Sequence, residues 1–390
     1  MLKRFSVKGF RSFCNRVELD FGNHREYGWH SDLDAGDAYL TNGIISNALV
    51  LGLNATGKTN LGIALMDVKN NFERRSSATI GSGGIADSSF LNGDNLSGHA
   101  SFEYVFTILN HEIEYLYKKD AQQYVTYESL HVDKRLVFEC DSHRQRVKDE
   151  GLALVGGSVL NWDFADGGLS VLGYLSNSLP KSSSPIIYEL RSFIDRMDMV
   201  SIPSFASRNE TTMRALRRIV KSESAVREFE SFLRHYDVDE RLEVKKGPDG
   251  EPVLYFRHSR PIHFGAACSS GTLTLLLLFS RFFMQGEGCR PSFVYIDEFD
   301  SYLHYRVAER LIRSFGSIPD SQTVCSTHNT SLMRNVTMRP DCVFVISRKT
   351  SEGNASHDYE LEIKSLSDRT QREIRRINNV EHLYRNGEFN

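Results

Sequence analysis

The sequence feature that most constrains the fold is a phosphate-binding loop near residue 50. Residues 52–59 read Gly-Leu-Asn-Ala-Thr-Gly-Lys-Thr, which satisfies the pattern G-x-x-x-x-G-K-[ST]. The apolar run 48–51 precedes the loop, and an amphipathic stretch begins at Asn60. Glycines let the backbone fold around phosphate oxygens at the start of a helix, so a strand, a loop and a helix are expected here. This arrangement predicts binding of ATP or GTP.

The residues of the loop have different expected roles. Lys58 would place a point charge near the β and γ phosphates, and the hydroxyl of Thr59 would hold Mg²⁺. The other candidates for nucleotide binding share the same backbone turn or follow it directly: Gly52, Asn54, Ala55, Thr56, Gly57 and Asn60. A nucleoside triphosphate, ATP or GTP, and Mg²⁺ are therefore the expected substrate and cofactor.

Composition indicates a globular chain without a membrane segment. With 390 residues, 40% of them hydrophobic, the chain can bury a sizeable core in one large domain or two joined ones. The net charge of -3 gives no global sign of nucleic-acid binding. No apolar run reaches the roughly 20 residues that cross a bilayer, and residues 1–5 lack a signal-peptide core. We expect a soluble, cytoplasmic protein.

The six cysteines are dispersed and form no C-x-x-C pair. Cys325 and Cys342 lie in apolar runs typical of strands. This usage predicts reduced, buried thiols and argues against a disulfide framework or a zinc site.

Hydrophobic periodicity predicts several kinds of structure along the chain. Alternation over 2–21 predicts an edge hairpin, a helix is expected near 60–75, and four short runs between 100 and 139 predict an antiparallel meander. Residues 184–236 have mainly helical spacing, and strands alternate with helices from 293 onward, which predicts a largely parallel α/β sheet. The sequence has no heptad run, so a long coiled coil is not expected.

These patterns divide the chain into three parts. The two halves of a head domain are expected at 1–75 and 262–390. Between them we expect a mobile loop with an antiparallel β arm at 76–140, and a mainly helical insertion or lid at 141–261.

A second motif lies at the end of the apolar strand predicted at 293–296. Asp297 and Glu298 follow this strand directly, at the place where ligands meet strand ends in open α/β sheets. Asp297 would complete the Mg²⁺ shell with Thr59, and Glu298 would polarise the attacking water. An N-cap pair is the structural alternative for two such acids.

Two further sites are candidates for contacts with phosphate. His328 ends the strand near 323–326, where it would sense the γ phosphate. Ser270 and Gly271 precede an apolar helix and form a second small anion site. For His304, four residues after Asp300, a structural or interface role is expected, because no metal-binding motif accompanies it.

Five motifs resemble those of ABC-type ATPases. Residues 52–59 resemble Walker A, and residues 269–272 resemble the signature motif. Residues 296–298 resemble Walker B, Asp300 resembles the D-loop residue, and His328 resembles the switch histidine. The opening Lys-Gly-Phe-Arg-Ser-Phe at 8–13 is similar to the SMC/RecF/OLD branch. This resemblance implies an α/β ABC-type ATPase head with a mixed sheet, a β-rich arm and a helical insertion.

A subgroup resemblance extends over nearly the whole chain. Residues 297–304, 326–330, 339–341 and 384–389 are similar to AbiL-type and RloA-type ATP-binding proteins and to the AriA component of PARIS, which are compact ABC ATPases of anti-phage loci. The subgroup implies an ATPase subunit whose assembly holds or licenses a separately encoded effector, such as a Toprim-type nuclease, with a phage protein as trigger.

The resemblance also implies how nucleotide is bound. Two heads would sandwich two ATP molecules, with Ser270 and Gly271 of one facing the phosphate loop of the other, and oligomers beyond the dimer are open. Arg11 and Ser12 would approach the nucleotide from the edge hairpin. No glutamine is assigned to a Q-loop, since Gln122 and Gln123 lie in the predicted meander, and Cys268 replaces the usual Leu or Phe before the signature serines. Both departures argue against fast turnover.

Two alternatives remain at this point. The chain is a slowly hydrolysing scaffold or sensor locked by nucleotide, or a RecF/SMC-like repair ATPase acting on DNA. The cluster Arg214, Arg217 and Arg218 bears on the second alternative, since it is either a solvated helix face or a nucleic-acid contact.

Overall fold

The computed structural model describes residues 1–25, 27, 39–73, 90–141, 146–157, 170–202, 210–284, 290–350 and 359–389. Within them, the strands are β1 (Leu2–Lys8), β2 (Val17–Asp20), β3 (Leu40–Thr41), β4 (Ile44–Ile45), β5 (Asn47–Gly52), β6 (Ala100–Ile108), β7 (His111–Lys119), β8 (Val125–Val132), β9 (Arg135–Asp141), β10 (Arg146–Lys148), β11 (Met197–Ser201), β12 (Leu242–Lys246), β13 (Pro252–Phe256), β14 (Ile262–His263), β15 (Phe293–Asp297), β16 (Gln322–Thr327), β17 (Val343–Thr350) and β18 (Tyr359–Ser365). The α-helices are α1 (Lys58–Glu73), α2 (Val171–Ser178), α3 (Pro185–Asp195), α4 (Glu210–Ile219), α5 (Glu223–His235), α6 (Phe264–Ala267), α7 (Ser270–Leu278), α8 (Tyr305–Gly316) and α9 (Val380–Arg385).

A six-stranded sheet carries the phosphate loop at the end of β5. Its order is β11-β15-β16-β5-β17-β18, and all neighbours are parallel except β17 and β18. Every residue of β5, β15 and β16 is buried, as expected for parallel strands covered on both faces. The predicted parallel α/β sheet is confirmed.

One strand of this sheet lies where the sequence predicts helix. Strand β11 follows α3 and pairs in parallel with β15. Its two buried residues, Met197 and Val200, are three positions apart, a spacing that also suits a helix. The helical prediction for 184–236 is therefore wrong for residues 197–201, which form an edge strand of the six-stranded sheet.

The second large sheet is antiparallel and contains the hairpin and the meander. Its order is β10-β9-β8-β7-β6-β1-β2, so the meander continues directly from the hairpin strand β1. Both predicted strand groups are confirmed. The β arm and the N-terminal hairpin thus form one continuous β-sheet.

Helix α1 lies between the two sheets, and most of its residues are buried. Tyr104 of the antiparallel sheet donates a hydrogen bond to the Ala64 carbonyl over 2.8 Å. Asp67 accepts hydrogen bonds from Lys119 at 2.6 Å and from Tyr117 at 2.8 Å. Asp67 and Lys119 are both nearly inaccessible to solvent, so their charges compensate each other inside the core. The helix that follows the phosphate loop is thereby fixed to the arm.

Two buried amides hold the strands that lead into the site. Gln322, at the start of β16, bonds both backbone groups of Leu2 and the carbonyl of Ile45 at 2.9–3.1 Å. Asn47, at the start of β5, donates to the Ile312 carbonyl of α8 over 2.7 Å. These bonds join the antiparallel sheet and α8 to the strands on which the phosphate loop and the switch histidine lie.

The predicted loop at 76–98 falls mostly outside the described residues, which resume at Phe90. The part that is described is fixed in place: Phe90 is buried, and Asn95 donates to the Gly9 carbonyl over 3.1 Å. Asn92 and Asn95 thus join this part to the hairpin turn, and the mobility of the loop stays a prediction.

The five cysteines within the described ranges are free thiols, and Cys289 lies outside those ranges. Burial raises the pKa of Cys325 and of Cys342 well above the ordinary value, so these thiols stay protonated. Among the helices that the structure describes, none has the length and apolar character to span a bilayer.

Candidate functional site

Three neighbouring strands end at the same edge of the six-stranded sheet and bring the motifs together. The phosphate loop follows β5, Asp297 ends β15, and His328 follows β16. Because β16 lies between β5 and β15 and all three are parallel, their carboxyl ends meet on one side. The topology therefore places the loop, the acidic pair and the histidine at one site.

Lys58 lies inside the curve of the phosphate loop. Its ammonium donates hydrogen bonds to the carbonyls of Gly52 at 2.9 Å and Leu53 at 3.1 Å. Burial lowers the pKa of Lys58, whereas the nearby carboxylates Glu298 and Asp297 act in the opposite direction. The desolvated ammonium is held at the centre of the loop, where phosphate oxygens would compensate its charge.

The rest of the loop has left-handed backbone at two positions, which is unfavourable for Ala55 and readily adopted by Gly57. Ala55 has a positive φ of 60° and Gly57 has a φ of 90°. Thr56 is buried, and its hydroxyl donates to the Leu53 carbonyl over 2.8 Å. Leu53, Asn54 and Ala55 are exposed, so this part of the loop is accessible to a ligand.

Thr59 and Asp297 meet across the site. The Thr59 hydroxyl donates to the Asp297 carboxylate over 2.7 Å. The other carboxylate oxygen of Asp297 accepts a 2.7 Å hydrogen bond from Ser326. Since Asp297 is buried and held on both oxygens, its position is well defined. The two residues proposed for Mg²⁺ are in direct contact.

His328 lies between Lys58 and Glu298. Its Nδ1 is 3.3 Å from the Lys58 ammonium, and its Nε2 is 3.6 Å from Glu298 Oε1. An ammonium only donates, so Nδ1 accepts and the ring proton is on Nε2, facing the carboxylate. The histidine thus links the cation of the phosphate loop to the acid of the second motif.

The backbone after Asp297 turns sharply and directs the following acids to different partners. Glu298 has a positive φ of 50°, and its N–H donates to Ser326 Oγ over 2.9 Å. Asp300 accepts a 2.7 Å hydrogen bond from Thr327, and burial raises its pKa. A left-handed conformation is unfavourable for glutamate and persists only where the surroundings impose it. It leaves the Glu298 carboxylate exposed beside His328.

The edge hairpin reaches the start of α1. Ser12 Oγ accepts a 3.1 Å hydrogen bond from the Asn60 amide, and Arg11 Nη1 lies 3.5 Å from Asn60 Oδ1. A Cβ at Gly57 would lie only 2.4 Å from Ser12 Oγ. Arg11, Ser12 and Asn60 therefore flank the phosphate loop on the side of the hairpin.

Ser270 and Gly271 are not joined to the phosphate loop within one chain. Among the described residues, no hydrogen bond connects these two with residues 52–60. Both are partly accessible at the start of α7, whose N-cap Ser269 accepts from Thr272 N over 3.1 Å. A Cβ at Gly271 would lie 2.8 Å from the Tyr302 carbonyl, so glycine permits α7 to approach the turn after Glu298.

Three residues at this site have no role predicted from the sequence. Ser326 orients Asp297, while Thr330 and Tyr384 line a cavity beside the loop. Ser326 was detectable, because it precedes His328 by two positions at a strand end. Tyr384 belongs to α9, which lies beside the phosphate loop. No local sequence pattern predicts that this helix packs there.

Two other residues considered from the sequence have structural contacts. His304 is the N-cap of α8, with its Nδ1 accepting from Arg306 N at 3.4 Å. Arg218 donates to the Ser280 carbonyl over 2.8 Å, whereas Arg214 and Arg217 are exposed. This basic cluster lies on α4, outside the site.

The residues at the sheet edge suit a Mg²⁺–nucleotide. Mg²⁺ is commonly held by one or two protein oxygens together with phosphates and water. The Thr59 hydroxyl and the Asp297 carboxylate supply two such oxygens, next to a loop whose residues 53–55 are exposed. Within the described ranges, no cluster of three or more histidine, cysteine or acidic residues forms a different kind of metal site.

The phosphate loop, the strand-terminal Asp-Glu pair and His328 lie at one sheet edge next to an antiparallel sheet, an arrangement typical of ABC-type ATPase heads. The chain belongs to the family described as AAA domain, putative AbiEii toxin, Type IV TA system, which matches residues 48–334. No curated protein sequence matches it.

The fold is that of the SMC head. The crystal structure of the SmcHead bound to the C-winged helix domain of ScpA aligns with a TM-score of 0.50 at 14% identity, covering 94% of this chain and 99% of that chain. The SMC head domain from Thermotoga maritima gives 0.44 at 14% identity, covering 93% and 98%. ATP-bound RecF of the RecFOR pathway gives 0.39 at 12% identity, covering 88% and 96%. The resemblance to AbiL-type, RloA-type and AriA proteins stays a prediction.

Proposed function

We propose that this protein binds and hydrolyses ATP, and that two copies assemble around two nucleotides. The observation that carries the proposal is the 2.7 Å contact of Thr59 with Asp297, beside a lysine that contacts the switch histidine. Phosphoryl transfer to water requires positioned oxygens and compensating charge more than covalent chemistry. The site brings both together.

Each residue has a defined task in this reaction. Lys58 binds β- and γ-phosphate oxygens in exchange for the two carbonyls that it now contacts. Thr59 and Asp297 would hold Mg²⁺, which neutralises the charge of the phosphates when it is bound. Glu298 orients the attacking water and accepts its proton, and His328 Nε2–H keeps that carboxylate in place.

The second half of the site comes from another copy. Ser270 and Gly271 are accessible at the start of α7 but have no bond to the loop of their own chain within the described ranges. We infer that they bind the γ phosphate held by the other copy, which gives a two-fold symmetric interface. Arg11 and Ser12 would contact the same nucleotide from the hairpin side.

Nucleotide titration and mass measurement test this function. The purified protein is expected to bind ATP, release phosphate slowly and double its mass by light scattering with ATP and Mg²⁺. Lys58→Ala is expected to abolish all three effects while the protein stays folded. Exposed Lys246 offers the matched control, because Lys246→Ala removes the same charge far from the loop. Absence of ATP binding by the unaltered protein would refute the proposal.

We further propose that assembly serves anti-phage defence, with a separately encoded effector, such as a Toprim-type nuclease, held until a phage protein acts as trigger. The subgroup resemblance supports this role, and the family description is compatible with it. Light scattering with the product of the neighbouring gene separates the possibilities. Capture of that protein favours the effector-holding ATPase; a nucleotide-dependent homodimer that ignores it favours a sensor or a DNA-repair ATPase.

A further inference from the structure

A cavity of about 470 Å³ opens beside the phosphate loop, on the side of His328. Its lining includes Gly52, Leu53, Asn54, His328, Thr330 and Tyr384. In the proposed ATP site Lys58 would reach the β and γ phosphates, and since Lys58 contacts His328, the cavity would lie on the side of the terminal phosphate. Its residues are therefore placed to distinguish a triphosphate from a diphosphate.

Tyr384 comes to this cavity from helix α9, which is firmly attached to the head. The Asn379 side chain caps α9 by accepting from His382 N over 3.0 Å, and Val380 is buried. Beyond the helix, Phe389 is buried and its carbonyl accepts from Arg369 over 3.2 Å. Anchors on both sides of Tyr384 therefore hold α9 at the edge of the cavity that this tyrosine lines.

A second contact joins α9 to the segment that carries the switch histidine. Thr330, two residues after His328, donates to Glu381 at 3.2 Å and accepts from Arg385 at 3.1 Å. Glu381 and Arg385 also form an ion pair at 2.7 Å. Thr330 lines the cavity as well. Movement of the histidine segment would therefore be transmitted to α9 next to Tyr384.

We propose that Tyr384 is a specificity residue for the terminal phosphate of the nucleotide, an inference that rests on the proposed ATP site. Its phenolic hydroxyl is a hydrogen-bond donor, and a hydrogen bond to a charged phosphate oxygen is stronger than one between neutral groups. ADP has no group at this position. Helix α9 is then the element of the fold that reports whether the nucleotide is a triphosphate.

The test compares affinities for Mg²⁺-ATPγS and Mg²⁺-ADP by competition with a fluorescent nucleotide. Tyr384→Phe removes only the hydroxyl, and the preference for ATPγS over ADP is expected to fall about tenfold, with ADP affinity unchanged. Thr330→Val keeps the shape of the side chain but removes both of its hydrogen bonds to α9. A smaller fall in the preference for ATPγS over ADP is expected. Tyr124→Phe, at an exposed site in the β arm, should alter nothing.

The outcomes separate this inference from the proposed function. An unchanged ATPγS/ADP ratio in both Tyr384→Phe and Thr330→Val overturns the role of Tyr384, while the ATP site stands if the unaltered protein binds both nucleotides. Failure of the unaltered protein to bind either nucleotide overturns the ATP site itself. Equal loss of ATPγS and ADP affinity, with a lower melting temperature, also overturns the inference, because it indicates a merely structural role.

Discussion

Ser326 donates a 2.7 Å hydrogen bond to Asp297 and holds the carboxylate oxygen that does not face Thr59. The same hydroxyl accepts from the backbone N–H of Glu298. One serine on β16 thus sets the positions of both acidic residues at the end of β15. Residues that orient a metal ligand commonly affect metal affinity and activity almost as strongly as the ligand itself.

Ser326→Ala is expected to lower ATP hydrolysis about 10- to 100-fold and to raise the Mg²⁺ concentration needed for half-maximal rate, because Asp297 loses its orienting donor. The measurement is phosphate release across a Mg²⁺ titration. Thr323→Val is the matched control on the same strand, since within the described ranges its buried hydroxyl has no hydrogen-bond partner. Equal Mg²⁺ dependence in Ser326→Ala and Thr323→Val would contradict this role.

Glu298→Gln is expected to bind ATP normally but to hydrolyse it at least about 100-fold more slowly, because the amide cannot accept the proton of the attacking water. The ATP-bound dimer should then persist, and light scattering will show the doubled mass long after the unaltered protein has returned to its starting mass. Glu251→Gln, at an exposed turn after β12, is the control. A Glu298→Gln protein with ordinary turnover would exclude this glutamate as the base.

Gly57→Ala tests the geometry of the phosphate loop. Gly57 has a φ of 90°, and an added Cβ would lie 2.4 Å from Ser12 Oγ, so both the backbone and the hairpin must shift. A strained backbone of this kind costs about 1–3 kcal/mol, and ATP affinity is expected to fall at least tenfold. Gly93→Ala is the control, because open space surrounds Gly93. Calorimetric titration with ATP is the measurement, and equal affinities would show that the loop adapts.

The buried pair of Asp67 and Lys119 gives a prediction about stability. Both side chains are almost inaccessible, and their charged atoms are 2.6 Å apart. Lys119→Met leaves the Asp67 charge without its cation, so the free energy of unfolding should fall by about 3–5 kcal/mol in denaturant titration. The double variant Asp67→Asn with Lys119→Met should recover part of this loss. A double variant less stable than Lys119→Met alone would contradict the pairing.

The predictable parts of the fold are those with a strong local pattern. The alternation of β6 to β9 and the helix α8 at 305–316 follow from side-chain periodicity alone. Strand β11 was not predictable, because its two buried residues have helical spacing and its pairing with β15 is a long-range contact. Local pattern predicts elements, whereas edge strands depend on the neighbour that they meet.

The same distinction holds at the site. Lys58, Thr59, Asp297 and His328 belong to motifs at strand ends, and the topology brings them together as those motifs imply. Tyr384 reaches the loop only because buried anchors hold α9 against the segment of Thr330. Such a contribution depends on tertiary packing, and no spacing in the sequence predicts it.

Lys58 gives the clearest dependence on pH. Burial lowers its pKa below the ordinary 10.5. Between the folded pKa and 10.5 the unfolded chain therefore binds more protons, so the stability of the nucleotide-free protein should rise with pH in this alkaline window. Lys58→Met should lack this rise, whereas Lys246→Met, which changes an exposed lysine on β12, should keep it. Urea titrations at several alkaline pH values measure the slopes. ATP binding should weaken over the same window, because the phosphates require the charged lysine; parallel slopes for the unaltered protein and Lys58→Met would contradict a desolvated lysine in the loop.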